Sequence, residues 1–413
     1  MIPRRAAKAW IIQIICALLA LSGGVVRGED ASKLTVYDTR YYIMHTDLPL
    51  PMAKEAAIRM TRMAEEYHNR TKAFSGNINH KLPFFLFRQE ADYLIAGGMP
   101  GSVGVFRGDD LMAIAGDVPT AETWHTIQHE GFHQFVFAVI GGDMPTWMNE
   151  GLAEYFGYSV FTGDSFVSGV VEPLHLRMIK ARMSLPPSQG GFRPANELML
   201  MSHQQWNAEL SGANYDQAWS MVQFLAHGDK GKYQQAFASM MIELGHGKPW
   251  DISWRDNFGS VAGFEERWRA YWTKLSNNPT DILYAKATVS TLSSFLARCS
   301  AQNQSFADMK EFLNAAIDDK LEISDEDWLP RSLILNAAAN VKRRQALGAK
   351  FSIVGSGATN GAVPINPKPG EVTCTLRDGT KLVASATYAQ DGKVSQVTVD
   401  ITDPQGKLID ASK

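Results

Sequence analysis

The feature that most constrains this chain is a short segment, WHTIQHEGFHQF (residues 124–135), which carries three histidines spaced four residues apart. The surrounding sequence is predicted to be helical. In a helix, residues four apart lie on the same face, one turn above the other. His129 and His133 can therefore bind one cation together, while Glu130 lies to one side of it. The alternative interpretation is an amphipathic helix that carries histidines without binding a metal.

A metal site of this kind needs a third ligand, and the next segment, GGDMPTWMNEGLAEYFG, supplies a candidate. A catalytic zinc usually has three protein ligands and one open position. Asp143 can cap a second helix that begins at Thr146, and Pro145 suits its start. Glu150 then lies where it can face the two histidines. Glu154 follows one turn later and can accept the free ring N–H of a ligand histidine. Taken alone, both glutamates also fit a solvated helix face.

The segments HEGFH and WMNEGLAEYF together resemble the gluzincin division of zinc metallopeptidases, and more narrowly a secreted bacterial peptidase-MA-like group. The signature of that group is His-Glu-x-x-His followed by Trp-x-x-Glu-Gly-x-Ala-x-Tyr, and the resemblance extends from about residue 34 to residue 271. It implies one Zn²⁺ per chain and a two-lobed fold, with a mixed β-sheet lobe before a helical lobe. The roles that it implies are metal ligands for His129, His133 and Glu150, general base for Glu130, and support of a ligand histidine for Glu154. The 16 residues between His133 and Glu150 are slightly fewer than in the best-known gluzincins, so we expect a tight loop.

The implied chemistry is hydrolysis of a peptide bond. Zinc polarises the scissile carbonyl and lowers the pKa of its bound water to about 7. Glu130 accepts the proton of that water and later delivers it to the leaving amine. The negative charge of the intermediate favours a donor beside the metal, and Tyr215 in GANYDQAW matches a tyrosine that the group has there. The alternative for Tyr215 is an aromatic residue that packs a helix start.

Several other residues near the motif also receive an expected role. In gluzincins an edge strand of the first sheet often binds the substrate backbone, and residues 108–116, GDDLMAIAG, are the candidate here. His125 extends the histidine stripe by one turn and is expected to pack or to support a ligand, not to bind the metal. The remaining histidines of this region are expected to be structural: His175, His203 and His227.

The first 28 residues differ from the rest of the chain. MIPRRAAK is a positively charged start, AWIIQIICALLALSGGVV is apolar, and VRG offers compact residues where a signal peptidase cleaves. This pattern predicts export, to the periplasm, the cell envelope or the medium, with cleavage near Gly28. An uncleaved membrane anchor is the alternative, since the apolar stretch nears the roughly 18 residues of a span. A lipid on Cys16 is not expected, because the residues before it are not small.

The rest of the chain predicts an α+β protein. Residues 33–47 and 81–87 indicate strands, 101–117 a hairpin, 51–74 a helix, and helices then dominate to about residue 275. GSGATNGAVPINPKPG is rich in glycine and proline and predicts a linker. Alternating residues with two Asp-Gly turns follow it and predict consecutive hairpins. The predicted boundaries are a signal peptide at 1–28, a metallopeptidase domain at 33–280, a helical extension at 281–354, a linker at 355–370 and a small β module at 371–413.

Charge and cysteine content narrow the set of partners. The formal net charge is −3, and no basic run is interleaved with aromatics, so nucleic acid is not an expected partner. Cys299 and Cys374, which remain after cleavage, can pair or stay as buried thiols. The leading hypothesis is an exported zinc peptidase that acts on peptides or proteins. The alternatives are an exported binding or structural protein that keeps the metal site without catalysis, and a zinc hydrolase of another amide or ester.

Overall fold

The computed structural model describes residues 34–141, 144–353 and 371–410, and these residues form helices and separate β-sheets. The expected α+β class is therefore confirmed. The predicted signal peptide, the predicted linker and Asp143 lie outside the described residues. Within the described ranges, no helix combines the length and apolar character needed to cross a membrane.

The N-terminal part of the described chain is built on a mixed five-stranded sheet. Its elements are β1 (Thr35–Asp38), β2 (Tyr42–Thr46), α1 (Leu50–Thr71), β3 (Leu82–Phe87), α2 (Glu90–Ile95), β4 (Gly104–Arg107) and β5 (Asp110–Ile114). The strand order is β1-β2-β3-β5-β4. The three central strands are parallel, whereas β1 and β4 are antiparallel edge strands.

The segment predicted as a single strand at residues 33–47 contains two strands in its described part, which begins at residue 34. β1 and β2 pair antiparallel across a tight turn. The Tyr42 N–H donates to Thr39 Oγ1 at 2.9 Å, and the Thr39 N–H donates to the Tyr42 carbonyl at 2.9 Å. These local bonds compete with the extended conformation and reverse the chain. The predicted hairpin between β4 and β5 is confirmed, and Gly108 supplies the positive φ of 65° at its turn.

Helices form the middle of the chain. They are α3 (Ala121–Phe135), α4 (Thr146–Gly157), α5 (Pro173–Ser184), α6 (Ala195–Met199), α7 (His203–Glu209), α8 (Gly212–Gly231), α9 (Gln234–Gly245), α10 (Trp250–Phe258) and α11 (Val261–Lys274), with the short hairpin β6 (Val160–Phe161) and β7 (Phe166–Val167) after α4. A π-helical turn, Val136–Ile140, directly follows α3. α3 packs on β4 and β5 and also on α4, and α4 packs on α8. α3 therefore lies where the sheet meets the helices.

The C-terminal part of the described chain consists of three helices and a second, four-stranded sheet. Its elements are α12 (Asp281–Ala301), α13 (Met309–Ile317), α14 (Arg331–Ala346), β8 (Lys350–Ile353), β9 (Val372–Thr375), β10 (Lys381–Tyr388) and β11 (Val394–Thr402). The strands are antiparallel in the order β11-β10-β9-β8. The predicted hairpins after residue 371 are present, but the edge strand β8 comes from before the predicted linker. The sheet is therefore assembled from both sides of that segment.

α12 joins this second sheet to the rest of the molecule. All of its residues from 287 to 299 are buried, as expected for a helix covered on every side. Arg298 near its end lies 2.7 Å from Asp164 Oδ1 in the β6–β7 hairpin and 2.8 Å from Asp327 Oδ1. Arg298 and Asp164 side chains are only 4% and 1% exposed, so the two charges depend on each other.

The two cysteines of the described chain are free and buried. Cys299 lies on α12 and Cys374 on β9. Burial raises the pKa of Cys299 to about 12 and the pKa of Cys374 to about 11. Of the two alternatives that the sequence left open, the structure has the buried thiols.

Candidate metal centre

α3 carries the histidine motif, and every residue from Thr126 to its end at Phe135 is buried. It begins with a capping box in which Thr120 and Thr123 exchange side-chain and backbone hydrogen bonds. Tyr67 of α1 donates its hydroxyl proton to the Gln128 carbonyl. A Cβ atom on Gly131 would lie 3.0 Å from that Tyr67 oxygen and 2.9 Å from Met60 Cε, so glycine allows α1 to approach. The motif therefore lies on a helix with little freedom to move.

α4 brings the glutamates to the histidines. It runs from Thr146 after Pro145, as predicted, and no side-chain bond caps its start among the described residues. Gly151, directly after Glu150, lets α4 pack closely on α8, because a Cβ atom there would lie 2.6 Å from the Ala218 carbonyl oxygen. The short segment between the two helices contains the π-helical turn. Such turns are rare and are frequently found at functional sites.

His129, His133 and Glu150 form a buried group that can hold a metal ion. The two Nε2 atoms are 3.1 Å apart, and Glu150 Oε2 lies 3.4 Å from His129 Nε2 and 3.6 Å from His133 Nε2. Ligands about 2.0–2.2 Å from a tetrahedral zinc are about 3.3–3.5 Å apart by simple trigonometry. Glu150 Oε2 is buried, and its contacts with the two imidazoles are longer than a usual hydrogen bond, so a cation between the three atoms would compensate its charge better than they do. The three residues therefore fit a tetrahedral metal ion.

The Nδ1 atom of each of these two histidines also has a contact. Glu154 Oε1 lies 3.1 Å from His129 Nδ1, and Asn149 Oδ1 lies 3.2 Å from His133 Nδ1. Acceptors at both Nδ1 atoms favour the tautomer that leaves Nε2 free for a metal. The contact of Glu154 agrees with the role expected from the sequence. The contact of Asn149 was not predicted from the sequence, although Asn149 directly precedes Glu150.

The charges around the rings favour a cation. Burial alone would lower the pKa of His129, but Glu150 and Glu154 outweigh it and raise that pKa well above the usual value. Burial alone would raise the pKa of Glu150, but His133 and His129 hold it at about 2. The pKa of Glu154 is likewise held below its usual range against the effect of burial, by His125 and His129. The carboxylates are therefore ionised around the two ligand histidines.

One carboxylate oxygen of Glu130 contacts the sheet. Its Oε2 accepts a hydrogen bond from the backbone N–H of Phe106 on β4 at 2.9 Å, and its side chain is buried. Gly104 makes this approach possible, because a Cβ atom there would lie 2.5 Å from Thr126 Cγ2 and 3.4 Å from Glu130 Cγ. The expectation that residues 108–116 form the edge strand is wrong. Most of them form β5, which lies between β3 and β4, and β4 is the edge.

Tyr215 lies beside the metal group. It lies in the first turn of α8, and its ring centroid is 6.2 Å from that of His129. Tyr215 also has a T-shaped contact with Trp206, with ring centroids 5.2 Å apart, and is 8% exposed. The ring is thus packed at a helix start, as in the alternative interpretation, and is also next to His129.

Four further histidines that the sequence analysis considered, His125, His175, His203 and His227, lie outside the group of His129, His133 and Glu150. His125 Nε2 is hydrogen-bonded to Glu154 Oε2 at 3.1 Å, so it belongs to the surroundings of the site. The remaining three have local partners: His175 contacts Asp216 at 3.1 Å, His203 contacts Asn207 at 3.0 Å, and His227 contacts Tyr155 at 2.9 Å.

Comparison with known proteins adds one similarity. Residues 123–251 match the model of a family described as a protein of unknown function (DUF1570). The matched region runs from the first turn of α3 to the start of α10, so it contains both helices of the metal group and Tyr215. No curated protein matches the chain. The chain is therefore similar, over this region, to a family whose function is not described.

Proposed function

We propose that this chain is an exported zinc peptidase of the gluzincin type, which hydrolyses peptide bonds in peptides or proteins. The observation that carries the proposal is the buried triangle of His129, His133 and Glu150. Two imidazoles and one carboxylate are a ligand set of catalytic zinc sites. When bound, zinc would supply Lewis-acid activation of water and of the scissile carbonyl. The arrangement of the sheet before the helices is compatible with the two lobes of that class.

Glu130 has the place and the chemistry of the general base. It follows His129 directly in the sequence, and the hydrogen bond from the Phe106 N–H orients its carboxylate. In the proposed reaction Glu130 accepts a proton from water as the C–O bond forms. It then gives that proton to the amine nitrogen as the C–N bond breaks. That hydrogen bond restricts the carboxylate and lowers the reorganisation needed in each step.

Two further groups complete the proposal. Tyr215, next to His129, would donate a hydrogen bond to the oxygen that becomes negative in the transition state. The strand that binds the substrate backbone would be β4 and not residues 108–116. Because β4 is an antiparallel edge strand and its Phe106 N–H contacts Glu130, a peptide that pairs with β4 would lie beside the base.

The test measures zinc content and peptide cleavage in parallel on purified mature protein. The samples are wild type, Glu130→Gln, His129→Ala and, as the matched control, Glu122→Gln, which changes an exposed residue of the same helix. We expect about one zinc per chain and cleavage of a mixed peptide library for wild type and control. Glu130→Gln should keep zinc without cleaving, and His129→Ala should lose both.

Two results would contradict the proposal. Zinc without cleavage by wild type would favour a metal-binding protein without proteolytic activity, or hydrolysis of another amide or ester. A wild-type chain that binds no zinc at micromolar free metal would show that the three residues are only a packed polar group.

A further inference from the structure

His125 lies one helical turn before His129 and contacts the same carboxylate. Glu154 Oε1 is 3.1 Å from His129 Nδ1, and Glu154 Oε2 is 3.1 Å from His125 Nε2. Each oxygen of one buried carboxylate therefore meets one imidazole. We propose that His125 is a positioning residue, which fixes the plane of Glu154 and through it the ring of His129. The proposal rests on the metal site proposed above.

A single contact would leave Glu154 loosely oriented. The terminal torsion of a glutamate is broad, so a carboxylate held at one oxygen can rotate about it. A second partner at the other oxygen removes that rotation. Because Oε1 contacts His129 Nδ1, the orientation of the carboxylate sets the direction in which His129 Nε2 points. His125 thus acts on the metal ligand without touching the metal.

The chain makes room for His125 in this position. A Cβ atom on Gly157 would lie 2.8 Å from His125 Nε2 and 2.9 Å from its Cδ2, so glycine admits the ring at the end of α4. Tyr158 contacts the His125 ring edge-on at 4.6 Å. The His125 side chain is only 14% exposed. The ring is confined by its neighbours as well as by its hydrogen bond.

His125 is not a fourth metal ligand. Its Nε2 is occupied by Glu154, and its ring centroid is 6.2 Å from that of His129. Within the described ranges, the residues that can share one metal ion are His129, His133 and Glu150, without His125. The hydrogen bond to Glu154 is therefore the polar contact through which His125 can act on the site.

The test compares zinc affinity, by chelator competition, in variants that separate position from packing. His125→Phe keeps a planar ring and removes the donor, His125→Gln keeps an amide donor, and Glu154→Gln changes the bridge itself. The matched control is His175→Phe, which also removes a buried histidine from a carboxylate but does not touch Glu154. Substitution of groups that support metal ligands typically costs about 10–100-fold in affinity. We expect about tenfold weaker zinc binding for His125→Phe, less for His125→Gln, and no change for the control.

A second measurement does not need metal. Ring ¹⁵N spectra of the metal-free protein, at a pH where His129 is neutral, report which ring nitrogen carries the proton. We expect Nδ1–H in wild type and a mixture of tautomers in His125→Phe. Unchanged tautomers together with unchanged zinc affinity in a folded His125→Phe would overturn the proposal. If wild type binds no zinc, the proposed function fails, and the tautomer measurement still decides the role of His125.

Discussion

Replacing Gly151 with alanine should both loosen the packing of α4 on α8 and weaken the metal centre. A Cβ atom at this position would lie 2.6 Å from the Ala218 carbonyl oxygen and 2.7 Å from Val222 Cγ2, whereas ordinary contact begins at 3.4 Å. Both neighbours belong to a buried stretch of α8, and one of them is backbone. The Ala218 carbonyl is helix backbone and cannot rotate away, so we expect the two helices to separate by several tenths of an ångström.

The expected magnitude follows from two opposing effects. In an unobstructed helix, alanine is more favourable than glycine by about 0.8–1.0 kcal/mol. Overpacking of a core costs about 1–3 kcal/mol, and a backbone obstacle favours the upper half of that range. The free energy of unfolding should therefore fall by about 1–2 kcal/mol, and the Tm should fall with it. Because Glu150 precedes Gly151, zinc affinity should also fall by about tenfold or more.

The assay is thermal unfolding of the metal-free proteins, followed by chelator competition for zinc. The matched control is Gly245→Ala at the end of α9, where no heavy atom lies within 4 Å of the added Cβ. The control should melt at or slightly above the wild-type temperature and bind zinc equally well. A Gly151→Ala protein with wild-type Tm and zinc affinity would refute the argument from close packing.

Three further predictions concern other parts of the molecule. Burial raises the pKa of both thiols, so Cys299 and Cys374 should resist iodoacetamide at pH 7 in the folded protein and react once it is unfolded. Mass spectrometry would detect the labelled cysteines. Rapid labelling of the native chain would contradict their burial. Arg298→Ala leaves the Asp164 carboxylate buried and uncompensated, which should cost about 3–5 kcal/mol in urea unfolding, and adding Asp164→Asn should restore part of the loss. Tyr215→Phe should lower kcat by about 10²–10³-fold with unchanged zinc content, whereas full activity would exclude a donor role in the transition state.

The residues of the metal group could be predicted because helical periodicity is local information. Two histidines four apart on one helix must lie on one face, and a second helix after a short connection brings Glu150 and Glu154 near them. The same reasoning could not identify the partner of Glu130. The Phe106 N–H comes from a strand more than 20 residues earlier in the chain, and its position depends on which strand forms the edge of the sheet.

Strand order is the property that sequence patterns predicted least well. β4 and β5 were recognised as a hairpin, yet alternation within each strand does not say which one pairs with β3. The turn at Thr39 also went unrecognised, because the short side-chain bond that reverses the chain has no counterpart in β-propensity. His125 was expected to pack or to support a ligand, and only the fold identifies Glu154 as its partner.

The burial of α12 affects when the protein can finish folding during its synthesis. This helix is covered partly by strands that are synthesised about a hundred residues after it, and Arg298 on it also contacts the hairpin next to α4. A nascent chain that ends before residue 371 therefore carries an apolar helix without its cover, and such surfaces are prone to aggregate. α12 therefore gains its full set of contacts only after β9, β10 and β11 have been synthesised. Shortened proteins designed to retain only the metal centre should accordingly keep the last sheet.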